Sequence, residues 1–103
     1  MKYRKIYEAL ERRWHVSPGF RFTDFSRWRN SKTANASLWI VVEDKLSRQR
    51  IWLTQIGRTM AITYKQMDEK GVCYGNSVSI RCRDQGHMAQ ELDALFARMS
   101  NAA

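Results

Sequence analysis

The alternation of apolar and polar residues is clearest between residues 37 and 66, where it predicts three β-strands joined as a meander. The link at Gly57-Arg58 has the form of a two-residue hairpin loop, because the first position of a type II′ turn needs a positive φ that glycine adopts cheaply. This turn fixes a register in which Leu53 faces Ile62. The apolar face of the hairpin then contains Ile51, Leu53, Met60, Ile62 and Tyr64.

The same periodicity predicts the other elements. Residues 38–43 form the first strand of the meander, and their almost continuous apolar run is typical of a central strand or one covered on both faces. Residues 77–83 alternate strictly and predict a fourth strand with one solvated face. Helical spacing predicts an N-terminal helix over residues 2–15, with Trp14 in its apolar stripe, and a final helix of about 15 residues capped by Asp84. Residues 20–22 are a candidate short strand.

A run of strands between two helices indicates an α+β fold. We expect an antiparallel four-stranded sheet, made of the meander plus one strand, flanked by an N-terminal and a C-terminal helix. The 103 residues predict one domain over residues 1–103, and the 44% of hydrophobic residues argues against disorder. The pattern leaves open which face of the sheet the first helix covers.

Charge changes the functional picture. The formal net charge is +8, and residues 1–52 hold 12 of the 18 Lys and Arg residues against 5 of the 10 acidic ones. An uneven basic field favours an acidic partner, such as nucleic acid or an acidic protein surface. We expect a cytoplasmic protein with no membrane partner, because no apolar leader follows Met1 and no run approaches the roughly 20 apolar residues of a membrane span.

Aromatic and basic residues are interleaved in two places. If a helix covers the apolar face of the sheet, the opposite face brings two tryptophans together with several basic residues. Residues 19–32 mix Phe and Trp with Arg in the same way. The predicted nucleic-acid-binding residues are Arg21, Arg27, Trp28, Arg29, Trp39, Arg48, Arg50, Trp52, Lys65, Arg81 and Arg83. Rings stack on unpaired bases while Arg and Lys hold phosphates, so this pattern favours single strands.

The alternative interpretation of the same pattern is packing. The Phe rings would cover the edge of the sheet, and the first helix or a second protomer would cover Trp39 and Trp52. For catalysis and metal binding the chain offers little. It has no Gly-rich phosphate loop, no G-x-S-x-G and no H-E-x-x-H, and Cys73, Cys82 and His87 match no usual zinc spacing. We therefore expect no cofactor, no metal and no enzymatic activity, with a nuclease using His87 as the catalytic alternative.

The sequence therefore predicts a small basic non-enzymatic binding protein that contacts nucleic acid through an Arg- and Trp-rich sheet face. The alternative is a protein-interaction module, such as an inhibitor or accessory factor of a mobile element or phage. Such a module would dock on an acidic protein surface or form a homodimer, since Trp and Arg are also the usual anchors of protein interfaces.

Overall fold

The computed structural model of the protein describes residues 2–28 and 34–102, with side chains as far as Met99. Within these ranges the chain forms two α-helices, five β-strands and one turn of 3-10 helix. In chain order they are α1 (Arg4–Val16), β1 (Phe20–Asp24), the 3-10 turn (Phe25–Arg27), β2 (Ala36–Asp44), β3 (Gln49–Ile56), β4 (Thr59–Met67), β5 (Cys73–Cys82) and α2 (Gln85–Ala102).

The strands form one antiparallel sheet in the order β1-β2-β3-β4-β5, so every strand pairs with its neighbour in sequence. The α+β class and the antiparallel sheet are as predicted, but the sheet has five strands where four were expected. The candidate short strand of residues 20–22 is a complete edge strand, because Phe20 and Phe22 alternate with polar residues as far as Asp24. The last strand begins at Cys73, four residues before the predicted start at Ser77.

The predicted hairpin register is confirmed. Leu53 pairs with Ile62 and Ile51 pairs with Tyr64 across β3 and β4. Gly57 takes a φ of 60°, the conformation that the two-residue loop requires. A register shift of one residue would expose these apolar side chains, so the turn and the core select the same pairing.

Both helices pack on the same face of the sheet, which settles the question that the sequence left open. The ring of Phe20 on β1 meets Phe96 of α2 edge-on, with 5.3 Å between centroids. The buried core also contains Ile6, Ala9 and Leu10 of α1; Leu38, Ile40, Val42, Ile51, Leu53, Met60, Ile62 and Cys82 of the sheet; and Met88, Leu92, Leu95 and Met99 of α2. The predicted placement of Trp14 in this core is wrong, since 59% of that residue is exposed.

Arg13 explains the position of Trp14. In the last turn of α1 it takes the inward position that continues from Ile6 and Leu10, and its guanidinium lies 5.5 Å from the ring centroid of Phe96. Its Nη2 donates to Oδ2 of Asp44 at 3.1 Å. Asp44 is fully buried at the end of β2.

Two tyrosine hydroxyls attach the start of α1 to the sheet. Tyr3 donates to the side chain of Gln55 on β3, and Tyr7 donates to Oδ2 of Asp24 on β1. Burial and the hydrogen bond to Asp24 raise the pKa of Tyr7 to about 12. Burial acts to raise the pKa of Asp24, but the hydrogen bonds from Tyr7 and Ser26 outweigh it and the net shift is downward.

No helix of the described residues is long and apolar enough to cross a membrane.

Candidate nucleic-acid interface

Neither helix packs on the opposite face of the sheet, and the loop after β4 reaches this face at Arg50. Strand pairing aligns its side chains in three rows that run across the strands. The first row is charged, the second has Trp52 at its centre, and the third begins at Trp39. The rows are Arg21, Glu43, Arg50 and Lys65; Thr23, Val41, Trp52, Thr63 and Ser79; and Trp39, Thr54, Ala61 and Arg81. We call these thirteen residues the open face.

Two tryptophans form the aromatic part of the open face. Trp52 lies between Val41 and Thr63, and Trp39 lies opposite Thr54. Trp39 and Trp52 are therefore diagonal neighbours on adjacent strands, a relation that separates positions by about 7–8 Å. Each is partly buried against the surrounding side chains while remaining accessible. The sequence predicted both on this face, and α1 does not cover them because it packs on the opposite side.

Arg50 lies on the open face as predicted, but its side chain is engaged. Its Nη2 donates to Oε1 of Glu43 at 3.1 Å and to the carbonyl oxygen of Gly71 at 2.8 Å. The guanidinium therefore ties β2, β3 and the loop after β4 together. This pairing was missed by sequence reasoning. The sequence did hold a signal for it. Glu43 and Arg50 carry opposite charges and are equally far from the centre of the turn between β2 and β3, so they pair across the two strands.

Three other cations of the open face make no ion pair with any described residue. Arg21 is exposed on the edge strand, Lys65 lies next to Arg50, and Arg81 places its Nη2 3.5 Å from the hydroxyl of Thr59. The open face carries four cationic side chains against the single carboxylate of Glu43, whereas the two helices carry five Lys and Arg residues against four acidic ones. The open face is thus the more basic of the two layers.

The predicted placement of Arg48 and Arg83 on the sheet face is wrong. Arg48 lies in the turn before β3 with a φ of 56°, and its carbonyl accepts from the N–H of Met67 at 2.9 Å. Arg83 follows the end of β5, and its N–H donates to Nδ1 of His87 at 3.0 Å. Arg48 precedes the first residue of β3 and Arg83 follows the last residue of β5, so strand alternation determines the direction of neither side chain.

The other predicted basic and aromatic residues follow β1. Arg27 closes the 3-10 turn, and Trp28 is 65% exposed beyond it, in edge-on contact with Phe25 at 6.3 Å between centroids. The turn is attached to β2, because the N–H of Trp39 donates to the hydroxyl of Ser26 at 2.8 Å. Arg29 lies outside the described residues. The side chains of Arg27 and Trp28 follow the end of β1 and do not belong to the open face.

The described residues contain no group of three or more His, Cys, Asp or Glu side chains that could hold a metal ion. Cys73 and Cys82 stand at opposite ends of β5, and burial raises the pKa of the Cys82 thiol. His87 accepts from Arg83 through Nδ1, and its Nε2 lies 3.4 Å from Oε1 of Glu91. Both ring nitrogens thus have partners at the start of α2. There Asp84 caps the helix by accepting from the N–H of His87, a bond that lowers the pKa of Asp84.

In chemical terms the open face offers two indole surfaces for stacking and three cations that can hold anions. Hydroxyl groups surround them, including the pair formed by Thr63 and Ser79, whose oxygens are 3.0 Å apart. No family model, no curated protein and no solved structure matches this chain.

Proposed function

We propose that the protein is a non-enzymatic module that binds single-stranded nucleic acid on its open face. The observation that carries the proposal is the diagonal pair Trp39 and Trp52, which lies on a sheet face that neither helix covers, between cations that have no acidic partner among the described residues. Rings that are fixed in a sheet stack on bases at little entropic cost, and cations around them hold the backbone of the same strand.

The geometry gives approximate magnitudes. Each stacked base contributes about 1–3 kcal/mol, so two rings supply about 2–6 kcal/mol. Three phosphates neutralised by Arg21, Lys65 and Arg81 give a slope of about −2 in a plot of log K against log salt concentration. Affinity should then fall roughly 15-fold between 50 and 200 mM salt.

Preference for single strands follows from the same geometry. The two rings are partly buried in the surface of the sheet, so a base reaches them only when it is unstacked and turned toward the sheet. In a duplex the base faces are stacked on one another and only their edges are accessible. The duplex therefore keeps the phosphate contacts and loses the stacking contribution.

The second candidate is binding to an acidic protein surface, which the same three cations favour and for which Trp and Arg are effective anchors. Homodimerisation through the open face is less favourable, because an isologous contact would place four cations and one carboxylate opposite an identical set. Nucleic acid is the better occupant because it supplies flat rings as well as negative charge.

The test compares a labelled 12-nucleotide oligothymidine with a duplex of equal length, measured by fluorescence anisotropy at two salt concentrations. Trp52→Ala should weaken oligothymidine binding about 5- to 150-fold, the equivalent of one stacked base. The same variant should have little effect on the duplex. The matched control is Trp14→Ala, since Trp14 is exposed on α1 and lies outside the open face.

Two results would contradict the proposal. The first is the absence of oligothymidine binding at low salt. The second is an equal loss of single-strand and duplex affinity in Trp52→Ala, because stacking would then play no part. Lys65→Ala separates the electrostatic contribution, since removing one phosphate contact should flatten the salt slope by about 0.7. An acidic polypeptide that competes fully with the oligonucleotide while Trp52→Ala has no effect would favour the second candidate.

A further inference from the structure

The outer edge of β1 presents backbone groups that no described strand pairs. The N–H of Lys45 donates to the carbonyl of Gly19 at 3.3 Å, so the backbone of Gly19 faces β2. Backbone groups point to alternate sides along an antiparallel strand, and Arg21 and Thr23 therefore also face β2. The backbone groups of Phe20, Phe22 and Asp24 point outward, away from β2. The N–H of Phe20 donates to the carbonyl of Ser17 at 3.3 Å.

A groove runs along this edge. It has a volume of about 920 Å³ and is lined by residues 14–23, so it lies between the end of α1 and the first four residues of β1. Two apolar residues in its wall are exposed to an unusual degree: Trp14 by 59% and Val16 by 73%. An unpaired strand edge beside an apolar wall is the arrangement to which extended peptides add as an extra strand.

The charge of the groove selects the kind of occupant. Among the described residues that line it there is no Asp or Glu, while Arg21 and His15 are both exposed. Lys45 is exposed as well and lies against Gly19 at the start of β1. A second copy of this chain is a poor occupant, because its net charge is also +8 and it would bring a second Arg21 to the same edge.

We propose that β1 and this groove form a docking site for an extended acidic segment of a partner protein, which adds as a sixth strand beside β1. Successive side chains of the added strand point to opposite faces of the sheet. Those on the helix side would contact Trp14 and Val16, and those on the other side would meet Arg21. The segment that fits is therefore about five residues long, the length of β1, with apolar residues alternating with Asp or Glu.

The probe is a capped heptapeptide of alternating Val and Glu, titrated into the ¹⁵N-labelled protein and followed by NMR chemical shifts. Shifts should concentrate in residues 14–24, and a Val/Lys peptide should produce none. Trp14→Ala should weaken binding at least 5-fold. The matched control is Trp28→Ala, because Trp28 is exposed to a similar extent but lies outside the groove. Circular dichroism of both variants checks that each remains folded.

Backbone pairing is tested separately with two N-methylated peptides. Only alternate residues of an added strand direct their N–H groups at β1, so methylation of the central Val and of its neighbouring Glu should have opposite effects. One peptide should lose binding and the other should keep it, which also identifies the strand direction. Equal behaviour of the two, shifts centred on Trp39 and Trp52, or no shift at millimolar peptide would each overturn the proposal. None of these outcomes bears on oligonucleotide binding, which is measured on the open face without peptide.

Discussion

The buried ion pair between Arg13 and Asp44 offers the sharpest test of how the sheet is held under the helices. Asp44 is fully buried, and its Oδ1 accepts from the N–H of Leu46 at 3.1 Å and of Ser47 at 3.5 Å. Its Oδ2 accepts from Arg13, of whose side chain 11% is exposed. Asp44→Asn keeps an oxygen for the two N–H groups and removes the negative charge beside the guanidinium.

The expected cost follows from this geometry. Removing one charge of a buried ion pair costs about 3–5 kcal/mol, because the attraction between the two charges is strong where water is largely excluded. Because 11% of the Arg13 side chain still contacts solvent, we expect the cost of Asp44→Asn to be near the lower limit, at about 3 kcal/mol. That is a large fraction of the 5–15 kcal/mol or so by which such domains are stable, and it corresponds to a fall in Tm of roughly 12–24 °C.

Urea unfolding with a matched control measures this cost. Asp68→Asn is the control, because Oδ1 of Asp68 also accepts from two backbone N–H groups, those of Lys70 and Val72, both at 2.9 Å. Asp68 has no ion pair with any described residue, so its substitution should cost less than about 1 kcal/mol. Arg13→Met replaces the guanidinium by an apolar chain that can pack against Phe96. Combining it with Asp44→Asn should cost at least 1.5 kcal/mol or so less than the two single changes added together. Equal costs for Asp44→Asn and Asp68→Asn, with additive singles, would refute the assigned role of the pair.

Two smaller changes test other contacts of the fold. Tyr7→Phe should lower the free energy of unfolding by about 1 kcal/mol at neutral pH. Because the pKa of Tyr7 is raised from 10.0 to about 12, the stability supplied by its neutral hydroxyl is lost as the pH rises through this interval. The difference between the parent protein and Tyr7→Phe should therefore shrink there; a constant difference would contradict the bond to Asp24. Gly57→Ala should cost about 1–2 kcal/mol through backbone strain alone, since no atom lies within 4 Å of the added Cβ; Arg58→Ala is the control.

The sheet was predictable where two independent signals agreed. In the β3–β4 hairpin, the glycine turn and the apolar alternation specify the same register, and the pairing of Leu53 with Ile62 confirms it. The strand at residues 20–24 was underestimated because it is short and follows Pro18-Gly19, so its alternation has few periods to recognise. Its status as an edge strand depends on pairing with β2, more than a dozen residues further along the chain.

The first helix shows the limit of hydrophobicity as a guide. Trp14 is more apolar than Arg13, so periodicity assigns the ring to the core and the guanidinium to solvent. In the fold, Arg13 is directed inward, where its guanidinium pairs with the buried carboxylate of Asp44 and lies over the ring of Phe96. Neither partner is near it in sequence: Asp44 is 31 residues away and Phe96 is on the last helix. A buried ion pair therefore reverses a local pattern that is otherwise correct.

The open face was predictable within the strands and not beyond their ends. Trp39, Arg50, Trp52, Lys65 and Arg81 occupy the predicted face because alternation is a property of the extended backbone. The prediction for Arg48 is wrong by one residue, since the backbone at Arg48 is left-handed and β3 begins at Gln49. The hydrogen bonds of Arg50 to Glu43 and Gly71 could not be predicted from alternation, because the bond to Gly71 requires the loop after β4 to return over the sheet.

The two proposed surfaces meet at Arg21. It is exposed on β1, so it belongs to the charged row of the open face and also lines the edge groove. An acidic strand that neutralises Arg21 removes one of the three cations proposed to hold phosphate, and it leaves the stacking surface of Trp39 and Trp52 intact. By linkage, bound nucleic acid must weaken the acidic strand by the same factor. The coupling is limited to about one phosphate contact in three, so occupation of the edge would reduce nucleic-acid affinity without abolishing it.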